Sequence, residues 1–173
     1  LALLPEYFSG EGTTETLQGA SATLMSAKAR HYRMYVAGTI CRYDPAADRL
    51  YNSALLYDRE GKLISCYDKI HLYGPELYES GVTPGDSVKV FETDFGKAAF
   101  MTCYDSWFTD VAQLLALKGA QLILFPNAGY YRALMRLGVL VDIVSPQADL
   151  SGYKLVVAPT LIVADEALAE RLA

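Results

Sequence analysis

Cysteine is scarce in this 173-residue chain, and its three residues, Cys41, Cys66 and Cys103, are widely spaced. An odd and scattered count argues against a disulfide framework, and no two of them have the C-x-x-C spacing of a metal-binding knuckle. The sequence therefore predicts free thiols, as in a cytoplasmic protein, and no metal site. Because a free thiol is a potential nucleophile, at least one of the three is a candidate for chemistry.

Long apolar runs and clusters of positive charge are also absent. No run reaches the roughly 18 apolar residues of a membrane-spanning helix, and no basic start precedes an apolar stretch as in a signal peptide. The chain has 15 basic and 20 acidic residues, a net charge of −5, and no dense Lys/Arg stripe. We therefore expect neither a membrane nor a nucleic acid as a partner. The sequence begins at Leu1 inside an apolar run, from which we expect a fragment of a longer protein.

The remaining composition is that of a folded α/β protein. Hydrophobic residues make up 52% of the chain and charged residues 20%, which excludes a disordered segment. The apolar patterns predict helices at residues 13–32 and 109–118, and strands at 1–4, 34–42, 51–57, 62–67, 88–91, 97–102 and 121–125. Because helices alternate with strands, and the central strands are continuously apolar, we expect a mixed sheet covered by helices.

Cys103 ends one of the predicted strands and precedes a predicted helix. A nucleophile on such a strand-to-helix turn projects into a cleft. There, backbone N–H groups can lower the pKa of a thiol and hold an oxyanion. A buried structural cysteine is the common alternative.

Lys69 and Glu6 also follow apolar segments. Lys69 offers a fixed positive charge to a developing oxyanion, and His71 shares its side of an extended chain. Glu6 follows Leu-Leu-Pro and precedes two aromatic residues, so partial desolvation is expected to make it a better general base. Taken singly, a surface lysine and a loop carboxylate are the simpler interpretations.

Three segments taken together resemble the signature blocks of the nitrilase superfamily, the carbon–nitrogen hydrolases. They are LLPEYF, YDKIHLY and FMTCYDSWFTDVAQLLALKGAQLILFPNA, and TPGD and VFETDFGK fit the same spacing. The resemblance spans residues 1–128 and implies an incomplete form of the family's α-β-β-α sandwich. It places Glu6 on the general base, Lys69 on the lysine and Cys103 on the nucleophile of a Glu–Lys–Cys triad.

The family carries a second glutamate between the lysine and the Pro-Gly turn. Residues 74–86 hold two prolines and three glycines, which predicts a long loop. Within it, Glu79 resembles one common form of the family and Glu76 another. We favour Glu79.

The resemblance implies covalent hydrolysis of a small non-peptide amide or nitrile. Glu6 would take the thiol proton of Cys103, and the thiolate would attack the substrate carbon. Lys69 and the backbone N–H of Tyr104 would hold the oxyanion. No metal or organic cofactor is implied.

The sequence from about residue 130 does not resemble a continuation of this family. YYRALMRLGVLVDIVSPQADLSGYKLVVAPTLIVADEALAERLA resembles the flavodoxin-like trimerisation domain of family 42 β-galactosidases. Helices from about 131 and at 165–172, and strands at 139–144 and 154–158, are expected. We therefore divide the chain into residues 1–128 and an α/β segment, 129–173, of different origin, and expect a homo-oligomer with weak activity.

Two alternatives to a nitrilase-like amidase follow from the sequence. The first is a non-catalytic or chimeric α/β module that retains the triad without activity. The second is a Cys–His thiol hydrolase using His71 or His31. It lacks a G-x-C-x-G elbow and a suitably placed acid.

Overall fold

The computed structural model describes residues 1–10 and 12–127. The chain divides into two units, Leu1–Ala128 and Gly129–Ala173, and all described residues belong to the first. The elements expected from about residue 131, and the flavodoxin-like segment they form, lie outside the described residues. The separate origin of that segment stays a prediction. In the described ranges, no helix has the length and hydropathy needed to cross a bilayer.

The first sheet is built around a long central strand. Within the described residues its five strands are β1 (Ala2–Leu3), β2 (Thr14–Glu15), β3 (Val36–Asp44), β4 (Arg49–Tyr57) and β5 (Leu63–Asp68). β1 and β2 each pair in parallel with β3, whereas β4 is antiparallel to β3, and β5 to β4. The β4–β5 hairpin turns at Gly61, whose φ of 78° favours glycine.

The second sheet contributes the turn that carries Cys103. Up to residue 127, the last that the structure describes, its three strands are β6 (Val90–Thr93), β7 (Gly96–Phe100) and β8 (Leu122–Leu124). β6 and β7 form an antiparallel hairpin, and β8 lies parallel to β7. A parallel pair needs a crossover, and here it consists of a 3₁₀ helix (Cys103–Trp107) and helix α3 (Thr109–Leu117).

Apolar clusters join the helices and sheets in four layers. Helix α1 (Ala20–Tyr32) buries Met25 against one face of the first sheet. The other face packs on the second sheet, with Leu56 and Phe100 in one cluster. Leu115 of α3 covers the outer face of the second sheet. The order helix, sheet, sheet, helix is the α-β-β-α sandwich that the resemblance implies.

The first helix is shorter than predicted. The pattern at residues 13–32 indicated one helix, whereas α1 begins at Ala20. Thr14–Glu15 pairs with β3 instead, and the Glu15 carboxylate accepts the Ser21 N–H at 2.7 Å at the start of the helix. Pairing with a neighbouring strand therefore overrides the local helical pattern.

The segment predicted as a loop at residues 74–86 begins with a short helix, α2 (Gly74–Tyr78). Proline is tolerated in a first helical turn because its missing N–H would have no intrahelical partner there, and Pro75 occupies such a position. The Glu76 carboxylate accepts the Tyr73 N–H at 2.8 Å. This capping bond turns Glu76 back towards the start of the helix.

Gly85 packs on the strand that ends beside Lys69, with no room for a side chain. A Cβ there would lie 2.1 Å from the carbonyl oxygen of Asp68. Gly85→Ala is therefore expected to lower the free energy of unfolding by about 2 kcal/mol, measured by urea denaturation. Gly74→Ala is the control, because the nearest atom to its Cβ is 4.0 Å away. An equal loss in both variants would contradict the packing argument.

Candidate active site

Glu6 and Lys69 meet in a buried ion pair. Glu6 lies three residues after β1, and Lys69 directly follows β5. Lys69 is 1% exposed and Glu6 is 6% exposed. Nζ of Lys69 donates to Oε1 of Glu6 at 2.9 Å. Neither residue is therefore the surface group of the simpler interpretation.

A second carboxylate completes the surroundings of Lys69, and it belongs to Glu76. Nζ of Lys69 donates to Oε2 of Glu76 at 2.7 Å. Glu79, which the sequence favoured, is exposed at the C-terminal end of α2. The structure therefore places Glu76, and not the favoured Glu79, beside Lys69, because α2 turns Glu76 inward and Glu79 outward.

The two carboxylates keep the buried lysine charged. Burial pulls the pKa of Lys69 down, but the charges of Glu6 and Glu76 outweigh burial and hold that pKa above its ordinary value. Burial also raises the pKa of Glu76, and here the nearby Lys69 ammonium prevails and holds the pKa below its ordinary value. At neutral pH the cluster therefore contains a desolvated ammonium.

Cys103 begins the crossover with a left-handed backbone, at a φ of 43°. Such a conformation is strained for a non-glycine residue and is common at functional turns. Burial, followed by the negative charge of Glu6, raises the pKa of the Cys103 thiol to about 12, while Lys69 acts in the opposite direction. The thiol therefore keeps its proton at neutral pH and lies within electrostatic reach of Glu6 and Lys69.

Asp105 ties the turn that carries Cys103 to the end of β5. Its buried carboxylate accepts hydrogen bonds from Tyr67 Oη at 2.8 Å, the His71 N–H at 2.8 Å and the Thr102 N–H at 2.9 Å. Sequence reasoning missed this residue. The available signal was a carboxylate in the first turn after a strand, where acidic side chains commonly cap.

Asn52 and Tyr7 hold the two glutamates, and sequence reasoning missed both. Asn52, fully buried in β4, donates from Nδ2 to Oε1 of Glu6 at 2.8 Å and to Oε1 of Glu76 at 2.7 Å. The Tyr7 hydroxyl donates to Oε1 of Glu76 at 2.7 Å. The available signal for Asn52 was an amide inside a strand pattern, where a buried polar group needs partners.

The two histidines have other neighbours. His71 stacks on Phe108 with ring centroids 4.0 Å apart. Its two ring nitrogens each lie 3.4 Å from a carboxylate oxygen, one of Asp105 and one of Asp110. His31 is exposed in the last turn of α1. These contacts favour a supporting role for His71 over a Cys–His pair.

Aromatic rings surround the residue that follows the cysteine. The ring centroids of Tyr73, Trp107 and Phe108 lie 5.5 to 5.8 Å from that of Tyr104. Trp107 is 77% exposed.

Across residues 1–10 and 12–127, no group of three or more His, Cys, Asp or Glu side chains is arranged to hold a metal ion.

Replacing Glu76 with glutamine tests which glutamate serves Lys69. The amide preserves the shape of the side chain but removes one of two charges that compensate a buried ammonium. We expect Glu76→Gln to lower the free energy of unfolding by about 2–3 kcal/mol, measured by urea denaturation at pH 7. Glu79→Gln, on the exposed end of α2, should leave stability unchanged. The assignment fails if the two variants lose stability equally.

Comparisons with known proteins indicate the same family as the sequence motifs. The family model described as carbon-nitrogen hydrolase matches residues 1–144, beyond the residue-128 limit of the resemblance. The omega-amidase NIT3 of Saccharomyces cerevisiae is 31% identical over 147 residues, covering 74% of this chain and 50% of the relative. The human omega-amidase NIT2 is 33% identical over 132 residues, covering 72% and 45%. This chain thus spans about half the length of these relatives.

Solved structures agree with the layered fold. The crystal structure of Saccharomyces cerevisiae Nit3, described as a member of the nitrilase superfamily, superposes with a TM-score of 0.64 at 28% identity. It aligns with 73% of this chain and 50% of its own. A carbon-nitrogen hydrolase from Helicobacter pylori superposes with a TM-score of 0.56 at 29% identity, over 62% and 37%. The chain therefore belongs to the carbon–nitrogen hydrolase family of the nitrilase superfamily.

Proposed function

We propose that this chain carries the Glu–Lys–Cys triad of an enzyme that hydrolyses a small non-peptide amide. The observation that carries the proposal is the buried Glu6–Lys69 pair, whose charges both act on the Cys103 thiol. The relatives named omega-amidases support an amide over a nitrile as substrate.

The first step requires a base, because the raised pKa of Cys103 keeps its thiol protonated at neutral pH. Glu6 accepts this proton as the sulfur forms a bond to the amide carbonyl carbon, and the carbonyl π electrons move onto oxygen. A resting thiolate–imidazolium pair, as in many cysteine hydrolases, is not needed here.

The oxygen that becomes negative is held by Lys69 and the backbone N–H of Tyr104. An ammonium has three N–H bonds, and Lys69 uses two of them on Glu6 and Glu76. The third has no acceptor among residues 1–10 and 12–127, and we assign it to the oxyanion. Tyr104 lies in the first turn of the 3₁₀ helix, where N–H groups have no intrahelical acceptor.

Collapse of this intermediate breaks the C–N bond, and protonated Glu6 gives its proton to the leaving amine. A thioester to Cys103 remains. Glu6 then takes a proton from water, whose oxygen attacks the thioester. When the C–S bond breaks, sulfur regains a proton from Glu6 and the carboxylic acid leaves. The steps use this chain's side chains and water, with no cofactor.

Active-site titration separates this enzyme from a non-catalytic module that retains the triad. The probe is iodoacetamide, and the alkylation rate is followed by mass spectrometry at the peptides containing each cysteine. At pH 7 we expect Cys103 to react faster than Cys41 and Cys66, because Glu6 takes the thiol proton as the sulfur attacks. Glu6→Gln should slow Cys103 about 100-fold through loss of this base, even though it also removes one cause of the raised thiol pKa. Equal rates at all three cysteines, unaffected by Glu6→Gln, would favour the non-catalytic module.

A further inference from the structure

The side chain of Asn52 lies between the two carboxylates of the site. Its Nδ2 is 2.8 Å from Oε1 of Glu6 and 2.7 Å from Oε1 of Glu76. The backbone N–H of Lys69 donates to the backbone oxygen of Asn52 at 2.9 Å, so the two residues are cross-strand neighbours. Two side-chain donors, one neutral and one charged, thus bridge the same pair of carboxylates.

The chemistry of its neighbours fixes the orientation of this amide. An ionised carboxylate only accepts hydrogen bonds, so Asn52 presents its NH₂ group to Glu6 and Glu76. Its Oδ1 is buried and has no hydrogen-bond partner within the described part of the chain. A buried acceptor without a partner lowers the stability of a fold. The contribution of Asn52 therefore comes from the hydrogen bonds that its NH₂ group donates to the two carboxylates.

The two carboxylates are held unequally. Glu76 accepts four hydrogen bonds from the described residues, and the donors are Tyr7 Oη, Asn52 Nδ2, Lys69 Nζ and the backbone N–H of Tyr73. Both oxygens of Glu76 are therefore engaged. The bonds that Glu6 accepts from Asn52 and Lys69 both end on Oε1, so neither occupies Oε2.

We propose that Asn52 is a positioning residue, which anchors Oε1 of Glu6 so that Oε2 stays turned towards Cys103. The proposal rests on the function proposed above. Lys69 cannot do this alone, since its ammonium is also drawn to the developing oxyanion. A neutral donor holds Glu6 in place throughout, and its shared hydrogen bonds keep Glu76 from competing as the base.

The test compares Asn52→Asp, Asn52→Ser and a control, Ser53→Ala. Asp has the shape of Asn without its NH₂ group, whereas Ser removes the bridge and leaves a smaller polar group. Ser53 is as buried as Asn52, but its hydroxyl bonds Asp68 on the other side of β4. The readout is the pH profile of Cys103 alkylation by iodoacetamide, with near-ultraviolet circular dichroism to monitor folding.

The charged and titratable groups facing the Asn52 amide are Glu6, Lys69 and Glu76, with Tyr7 and Cys103 one contact further. We expect both Asn52 variants to lose about tenfold to 100-fold of the rate at pH 7, keeping only the rise at alkaline pH. Ser53→Ala should keep the parent profile.

Addition of Glu6→Gln separates the two proposals. In that background Asn52→Ser should cause no further loss, because the base it positions is gone. Parent-like profiles in the folded Asn52 variants would overturn the proposal, as would unfolding of both variants, which would make Asn52 structural. If Glu6→Gln alone leaves the parent rate unchanged, the function proposed above fails instead.

Discussion

Replacing Cys103 with serine is expected to lower kcat for amide hydrolysis by about 1,000-fold or more. A hydroxyl is nearly isosteric with a thiol, but its pKa is so much higher that Glu6 cannot deprotonate it well. The measurement is amide turnover per folded chain. If Cys103→Ser keeps a substantial share of the parent rate, another group is the nucleophile.

The fold should tolerate this substitution. The backbone of Cys103 is fixed by its N–H bond to the carbonyl oxygen of Pro126 at 3.1 Å, which serine preserves. The other two thiols serve as controls, because Cys41 and Cys66 lie outside the proposed triad. Cys41→Ser and Cys66→Ser are expected to retain activity, and an equal loss at either position would move the nucleophile there.

Replacing Lys69 with alanine should lower kcat about 100-fold with little change in KM. The ammonium matters most when negative charge develops on the substrate oxygen, so its loss raises the transition state selectively. An effect on KM alone would make Lys69 a binding residue. Lys97→Ala, on an exposed lysine 3.6 Å from Glu92, is the control and should change neither constant.

Lys69→Ala should also destabilise the chain by about 3 kcal/mol, because it leaves Glu6 and Glu76 buried without a counter-charge. The pH dependence follows from the two pKa shifts. The pKa of Glu76 is lowered from 4.5, so its stabilisation is complete above that pH and disappears as pH falls further. The pKa of Lys69 is raised from 10.5, so its stabilisation is complete below that pH. Urea denaturation between these limits measures the full loss.

The regular part of the fold could be predicted from the sequence. β3 and β4 lie within two residues of their predicted bounds, because nine-residue apolar strands carry a strong pattern. The start of α1 could not be predicted, since Thr14–Glu15 pairs with a strand more than twenty residues away. Long-range pairing leaves no local signal.

Of the candidate site, the proximity of Glu6 and Lys69 could be predicted from the sequence, whereas the groups around them could not. Glu6 and Lys69 meet as the signature segments implied. The choice between Glu76 and Glu79 depended on which side of the one-turn helix α2 each glutamate occupies. The prolines and glycines of this segment had predicted a loop, so there was no expected helix on which to place them. Asn52 was missed because its partners, Glu6 and Glu76, lie far from it in the sequence and meet it only in the folded chain.

The buried Asp105 carboxylate makes assembly of the site depend on docking of the two sheets. It bonds Tyr67, 38 positions earlier in the chain, and Lys69 meets Glu6 across 63 positions. Such contacts form late, because loop closure must precede them. We therefore expect the turn that carries Cys103 to reach Lys69 and Glu6 only after the two sheets have stacked. Amide hydrogen exchange at Thr102 and His71 should accordingly report the same opening event.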